Sequence, residues 1–485
     1  MPGSLSEKHT FYANPMKKNH FRGAMAAAIL ISMIMPAELQ ADSIPPATPR
    51  NVVPDAWLYS PDHLQTSPEK DTWWRNFGDT TLNHLIDKAV ANNYNVAAAL
   101  KRIEMARQQT ASAKAGYYPT FSLSAGWNKD QQSGALSKPV GPSVRSDYFS
   151  AGINMNWEID VFGRIRSKVK AGKAAVEVSR AEYDALLVSL CAELAKDYVQ
   201  LRVYQAEYEV AKTHLVSQEK ILRITEARLE AGIGDALEVA QARLVLYSTK
   251  ASIPRIESGI RTTANSIAVL TGEYPSALAA GLLKPGPLPV DFGMPSIGVP
   301  ADLIRRRPDI VEAEAEMARY AALVGVAKKD FLPMLSLSGS IGTSAHKINN
   351  LFGSHSLDYS IAPTLSWTIF DGLARNHNLT EARLQLEASA DSYNLTVLNA
   401  IEEVENAISL YNASLSECAL LEDVIEQSRK SLELSLDLYK QGLSAFSNVV
   451  DAQESYLSNQ NSLVESKGSV LTSLVALYQA LGGGF

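Results

Sequence analysis

Only two cysteines, Cys191 and Cys418, occur among the 485 residues, which leaves too little for a disulfide-stapled scaffold or a cysteine-built metal centre. The chain also lacks an HExxH segment and a Gly-rich phosphate loop ending in Lys. Its eight histidines are scattered rather than grouped. No nucleophile–base constellation is visible, so a secreted hydrolase has nothing to work with, and no enzyme, cofactor or metal is expected. There is no Lys/Arg-rich run and the net charge is −7, so no nucleic-acid partner is expected. The triplet Arg305-Arg306-Arg307 reads as an anchor for a helix starting at Pro308, where proline suits the first turn. Acidic pairs such as Glu402-Glu403 read as solvated helix charge. Long apolar runs are missing too. After residue 41 no stretch of ~18–20 apolar residues exists, so no transmembrane helix is expected. Proline is absent from 163–230 and again from 373–440. A prior of roughly 100–200 residues per domain suggests about three domains, but proline-free stretches of this length favour very long helices over separate globules.

The N-terminus reads as an export signal. Lys17, Lys18 and Arg22 precede an apolar stretch from Ala24 to Met35. About a dozen residues are short for a span and suit the h-region of a secretory signal. A cut after Ala41 makes residues 1–41 the signal, with a polar upstream extension before Met16. A short membrane anchor is the competing reading. No Cys follows the h-region, so a lipid-modified N-terminus has no acceptor there. An exported chain without a helical span is either soluble or a β-barrel.

The strongest internal signal is a repeat. Tyr118-Pro119-Thr120-Phe121-Ser122-Leu123-Ser124 echoes Leu332-Pro333-Met334-Leu335-Ser336-Leu337-Ser338. Trp157-Glu158-Ile159 echoes Trp367-Thr368-Ile369, Gly232 echoes Gly442, and Gly272 echoes Gly482. The chain therefore divides into an N-terminal extended segment, 42–78, and two repeats, 79–285 and 286–485.

Each repeat holds two kinds of segment. Strands are expected at about 119–129, 147–162, 333–343 and 357–371, because apolar and polar residues alternate there. Phe121, Leu123, Ala125 and Trp127, for example, alternate with Thr120, Ser122, Ser124 and Gly126. These lengths suit tilted membrane strands, with Trp127, Trp157, Tyr359 and Trp367 near the run ends as interfacial aromatics. A soluble β-sandwich edge is the alternative. The proline-free stretches carry coiled-coil spacing: Leu187, Leu190, Leu194, Tyr198 and Leu201 in one, Val397, Ile401, Val404, Ile408 and Tyr411 in the other. A helix of about 68 residues is roughly 100 Å long. Glycines mark the helix tips near 232–235 and 442–445, and a second helix returns from each. On such helices Cys191 and Cys418 differ in height by roughly 25 Å, so two free, buried thiols are expected.

One chain then supplies four strands, and an open four-stranded sheet cannot sit in lipid with its edges unpaired. Several chains must pool strands, and three would give about twelve. The runner-up reading is an exported coiled-coil scaffold or tether with no pore, which explains the heptads but not four amphipathic strands.

Three motifs give the chain a family resemblance. They are Trp73-Trp74-Arg75-Asn76-Phe77-Gly78-Asp79, Trp157-Glu158-Ile159-Asp160-Val161-Phe162-Gly163-Arg164, and the run from Gly298 through Arg305-Arg306-Arg307-Pro308 to Ile310. With Leu332–Gly339 and Ile369-Phe370-Asp371-Gly372, the sequence resembles the outer-membrane factors of tripartite efflux systems, of the TolC, OprM, VceC and NodT type. The resemblance implies an α+β, mainly α fold, internally duplicated. It implies a homotrimer whose twelve-stranded β-barrel sits in outer-membrane lipid and continues into a periplasmic helical barrel, with a mixed belt between. It further implies a periplasmic membrane-fusion adaptor and an inner-membrane pump of the RND or MFS type. Gly232, Ile233, Gly442 and Leu443 then correspond to adaptor-docking tips, and Asp451, Tyr439 and Glu238 to the periplasmic gate. Ser444 stands where TolC carries a basic residue, so that link is missing.

Overall fold

The computed structural model describes residues 54, 56–58, 72–136, 141–289, 300–301 and 306–483. The export signal read over 1–41 lies outside the described residues, as do most of 42–78 and part of the Gly298–Ile310 motif. The described chain is mainly helical with one antiparallel sheet. Two short helices, α1 (Thr80–Asn92) and α2 (Tyr94–Ala115), lead into β1 (Thr120–Gln132) and β2 (Val144–Ile159). The long helix α3 (Arg164–Glu230), its return α4 (Ala236–Leu270) and a short α5 (Pro275–Leu282) complete the first half. The second half runs α6 (Pro308–Lys329), β3 (Met334–Ala345), β4 (Leu357–Ser366), α7 (Ala374–Lys440) and α8 (Phe446–Ala480).

The duplication is a structural fact. Helices α3 and α7 each have 67 residues, and α4 and α8 each have 35. A residue in the first pair corresponds to the one numbered 210 higher in the second. The correspondence extends to single hydrogen bonds. The Trp157 indole N–H donates to the Tyr117 carbonyl at 2.9 Å, and the Trp367 indole N–H to the Phe331 carbonyl at 3.0 Å. All four long helices end on glycine in the left-handed region, at Gly232, Gly272, Gly442 and Gly482. At each, the glycine N–H and the N–H after it close back on the last turn, which is the Schellman arrangement glycine permits.

The strands pair in the order β1-β2-β3-β4, so β1 and β4 are the edges. Their register sorts side chains by face. Leu123, Ile153, Ile341 and Tyr359 form one row across the sheet, and Phe121, Met155, Gly339 and Ile361 the next on that face. The opposite face carries the row Ser122, Asn154, Ser340 and Ser360. Polar side chains on this face bond to one another: Asn154 Nδ2 donates to Ser124 Oγ at 2.9 Å, and the Ser340 and Ser360 hydroxyls lie 2.8 Å apart. Every residue of β1 and β4 is exposed.

The strand ends differ from the sequence expectation for local reasons. β2 stops at Ile159 rather than 162, because the Asp160 carboxylate turns to accept the N–H groups of Ile165 and Arg166, both at 2.9 Å, and caps α3. β4 stops at Ser366 rather than 371, because the chain there is claimed by Arg375, which bonds Asp371 and the Thr368 carbonyl. β1 runs on to Gln132, which leaves Trp127 in the middle of its strand rather than at the end.

The core lies among the helices, where α3 packs against both α4 and α8, and α7 packs against α8. Leu194, Tyr198 and Leu201 of α3 meet Ile267, Ile408, Leu474 and Leu477, all fully buried. Each such side chain contributes about 1.5–3 kcal/mol. Trp73 stacks on Tyr478 at 5.1 Å, and Asp79 caps α1 through the Thr81 and Leu82 N–H groups. Tyr198 donates to the other oxygen of Asp79, and Arg202 donates to Tyr198. Burial pushes the Tyr198 hydroxyl up to about 12. Arg307 precedes Pro308 at the start of α6 and donates to the Ala480 carbonyl at 2.8 Å while pairing with Asp309 and Glu403, so it anchors that helix to α7 and α8. Both cysteines are free. Cys191 is buried, with its thiol pushed up to about 12 by desolvation, but Cys418 is only half-buried, so the expectation of two buried thiols holds for one. Among the described residues no helix is long and apolar enough to cross a membrane.

One asymmetry between the repeats is costly. Gly163 precedes α3 at φ 77°, but its equivalent before α7, Leu373, sits at φ 70° with an exposed side chain. A β-carbon in this region costs roughly 1–2 kcal/mol, partly offset by glycine's own entropy. Leu373→Gly should therefore stabilise the fold by about 0.5–1 kcal/mol, read as a raised urea midpoint in detergent.

Candidate functional site

The tips of the two helical hairpins gather most of the residues singled out in the sequence. Each tip is built alike: the long helix ends, glycine takes the left-handed turn, and an apolar residue follows. Gly232 has φ 72° and Gly442 φ 76°, with open space where a β-carbon would stand. Ile233 and Leu443 next to them are 65% and 71% exposed. Two bare apolar side chains at glycine turns give a surface that another protein can approach closely. The returns differ. Asp235 caps α4 by accepting the Leu237 N–H at 3.1 Å, whereas Ala445 before α8 offers no cap, and Ser444 instead accepts from Asn448 Nδ2.

Just above the tips the hairpins touch. Tyr439, near the end of α7, is almost fully buried among Ile221, Ala242, Phe446 and Val449. Its hydroxyl donates to Glu238 Oε2 of α4 at 2.7 Å. The Phe446 ring lies 5.0 Å from the Tyr439 ring, and the Arg228 guanidinium lies over the Tyr439 face at 4.8 Å. Arg228 also donates to the Ile233 carbonyl at 3.3 Å, so one side chain ties the first tip to the second hairpin. Burial first, and the Glu238 carboxylate second, push the Tyr439 hydroxyl up to about 12. The neutral donor is thus favoured by the fold. Its contribution is complete below the ordinary tyrosine value near 10 and is lost as pH rises towards about 12.

Asp451 stands apart from this pair. It is exposed on α8 and lines a groove of about 720 Å³ between α7 and α8 with Asp423, Ser428, Ser431, Asn448 and Asn459. The structure therefore joins Tyr439 to Glu238 and leaves Asp451 on a separate polar surface. Arg228 is the contributor that sequence reading missed. A basic residue in the last helical turn was a visible signal, but its aromatic partner lies more than two hundred residues away in sequence. Among the described residues no group of three or more His, Cys, Asp or Glu side chains could hold a metal.

Comparison with known proteins agrees with this architecture. The outer membrane efflux protein family model matches residues 85–273 and 299–483, one segment in each repeat. Nodulation protein T of Rhizobium leguminosarum bv. viciae is 30% identical over 461 residues, covering 95% of this chain and 93% of that one. The solvent efflux pump outer membrane protein SrpC of Pseudomonas putida is 29% identical over 410 residues, covering 84% and 86%. Among solved structures, the outer-membrane channel OprN superposes with a TM-score of 0.82 at 32% identity, covering 90% of this chain and 98% of that one. VceC of Vibrio cholerae gives 0.78 at 26%, covering 86% and 100%. Four strands in one sheet, two 67-residue helices with glycine-turned returns and a family match in both repeats lead to one assignment: the chain belongs to the outer membrane efflux protein family.

Proposed function

We propose that the chain is one protomer of a homotrimeric outer-membrane duct in a tripartite efflux system, and that it is not an enzyme. The sheet carries this reading. It has an apolar face, a polar face and two edge strands, and its strands of 10–16 residues are long enough to span a bilayer at a tilt. A sheet of this kind in lipid needs its edges paired, and copies of itself supply the pairing. The polar serine and asparagine rows then line a water-filled lumen, and the apolar rows face lipid. The 67-residue helices extend about 100 Å into the periplasm as a continuation of the pore. A coiled-coil tether without a pore leaves the two-faced sheet without a purpose.

In this reading the tips face a periplasmic adaptor, which couples the duct to an inner-membrane RND or MFS pump and to the export of drugs or other toxic compounds. Gly232, Ile233, Gly442 and Leu443 form the docking surface. The Tyr439–Glu238 bond holds the narrow end closed. Asp451, repeated by three-fold symmetry, sets a negative potential in the lumen that favours cations. A hydroxyl–carboxylate bond contributes on the order of 1.5–3 kcal/mol when shielded and less when wet, so three copies bias the closed form by at most roughly 4.5–9 kcal/mol.

Single-channel recording in planar bilayers tests the duct, with wild type expected to give discrete, uniform current steps. Tyr439→Phe with Glu238→Gln should raise open probability about ten-fold for each ~1.4 kcal/mol of bias removed, with selectivity nearly unchanged. If the double variant conducts like wild type, the Phe446 packing holds the closed form instead. Asp451→Ala should lower cation selectivity and cation block; unchanged values make Asp451 a solvated helix acid. Bulky replacements at Gly232 and Gly442 should abolish efflux in resistance assays while trimer levels stay constant. Efflux that survives both changes places docking elsewhere.

A further inference from the structure

The four strands carry only two basic residues, Lys129 on β1 and Arg145 on β2. Both lie at the end of the sheet away from the helices, since β1 follows α2 and begins at Thr120, and β2 ends at Ile159 before α3. The register puts both on the apolar face. Lys129 stands opposite Asp147 and Arg145 opposite Gln131, in the same set of rows as Leu123, Trp127, Phe149 and Ile153. The strand carboxylates sort the other way. Asp130, Glu158 and Asp358 are on the polar face, and only Asp147 shares the face of the two cations.

Height decides what these cations meet. Trp127 is directly opposite Phe149, with ring centroids 6.5 Å apart. Trp157 lies on the same face of β2 as Phe149, about 26 Å farther along the strand and roughly 20 Å away along the membrane normal at the usual tilt. Two aromatic levels at that spacing bracket the apolar band of a membrane barrel. Lys129 is two residues beyond the upper level and Arg145 four, about 5 and 10 Å higher along the normal. In an outer membrane that is the headgroup layer of the outer leaflet.

The local geometry leaves both charges available. Lys129 Nζ lies over the Trp127 ring at 6.0 Å from its centroid. Arg145 uses Nε to donate to Gln131 Oε1 at 2.9 Å, so its two terminal nitrogens still point a fork at an incoming anion. Asp147 lies 3.9 Å from His346, and among the described residues neither cation is ion-paired. The two cations are diagonal neighbours across the pair of strands, about 7–8 Å apart at the backbone, which is close enough for one phosphate to bridge them. We propose that Lys129 and Arg145 bind the phosphate of a lipid headgroup in the outer leaflet, with its acyl chains lying along Trp127, Phe149 and Ile153. This rests on the duct reading above. Neither β3 nor β4 carries a basic residue, so each chain supplies one such site.

Native mass spectrometry of the purified protein in detergent tests the site, with bisphosphorylated lipid A as the probe and its dephosphorylated form as the control. Wild type should retain the phosphorylated lipid, up to one per chain, and hold the control roughly ten-fold or more weakly. Lys129→Gln with Arg145→Gln should weaken binding of the phosphorylated lipid by roughly ten- to thirty-fold and leave the control unchanged. Asp147→Asn removes the one carboxylate on that face and should tighten binding. Excess inorganic phosphate should not displace the lipid, because the acyl chains supply the rest of the hold. Displacement by phosphate makes this a site for the free anion and overturns the lipid assignment. Equal binding of the two lipids by wild type, or full binding by the double variant, overturns the site itself. Discrete conductance steps from the same wild-type sample then leave the duct reading standing. A sample that gives no such steps and is a single chain by mass removes the duct and the lipid site together.

Discussion

The outer edges of β1 and β4 present backbone N–H and C=O groups that the four-stranded sheet does not pair. In water such groups are solvated at little cost. In hydrocarbon each unsatisfied group costs several kcal/mol, more than a single side-chain contact returns. The apolar rows led by Leu123, Ile153, Ile341 and Tyr359 nonetheless require a hydrocarbon-like environment, because nearly every one of these side chains is exposed. A sheet that needs lipid on one face and cannot tolerate lipid at its edges is complete only as part of a closed ring.

The same incompleteness appears in the helices. The interior of the chain is well packed where α3 meets α4 and α8, with Leu194, Tyr198 and Leu474 fully buried. Its flanks, α4 and α7, carry exposed Leu244, Tyr247, Leu398 and Leu420. Between sheet and helices, Arg307 and the Trp73–Tyr478 stack fasten the linking segments to the long helices. The Tyr439–Glu238 bond ties the two hairpins to each other near their tips.

Much of the fold was legible because its physics is periodic. Alternation found the strands, proline-free heptads found the helices, and glycines found their ends. Ile159 and Ser366 show where this fails: those strands end on specific bonds made by Asp160 and Arg375, which no periodicity encodes. The Tyr439–Glu238 contact was reachable only through family resemblance, since the two residues are 201 apart in sequence. Arg228 was missed because its partner, the Tyr439 ring, comes from the other repeat. Leu373 broke the rule that made the other turns visible, taking a left-handed conformation without glycine.

Edge closure by further copies is the claim on which the barrel, the lumen and the gate all depend. It is tested most directly by the native mass of the detergent-extracted protein, measured with the detergent contribution subtracted and with strand content followed by circular dichroism on the same sample. Pairing of β1 with β4 between copies requires a mass of three chains at full strand content, and loss of strand content whenever the assembly is driven to monomer. A monodisperse single chain that keeps all of its strand content would contradict it, because four open-edged strands would then be stable alone.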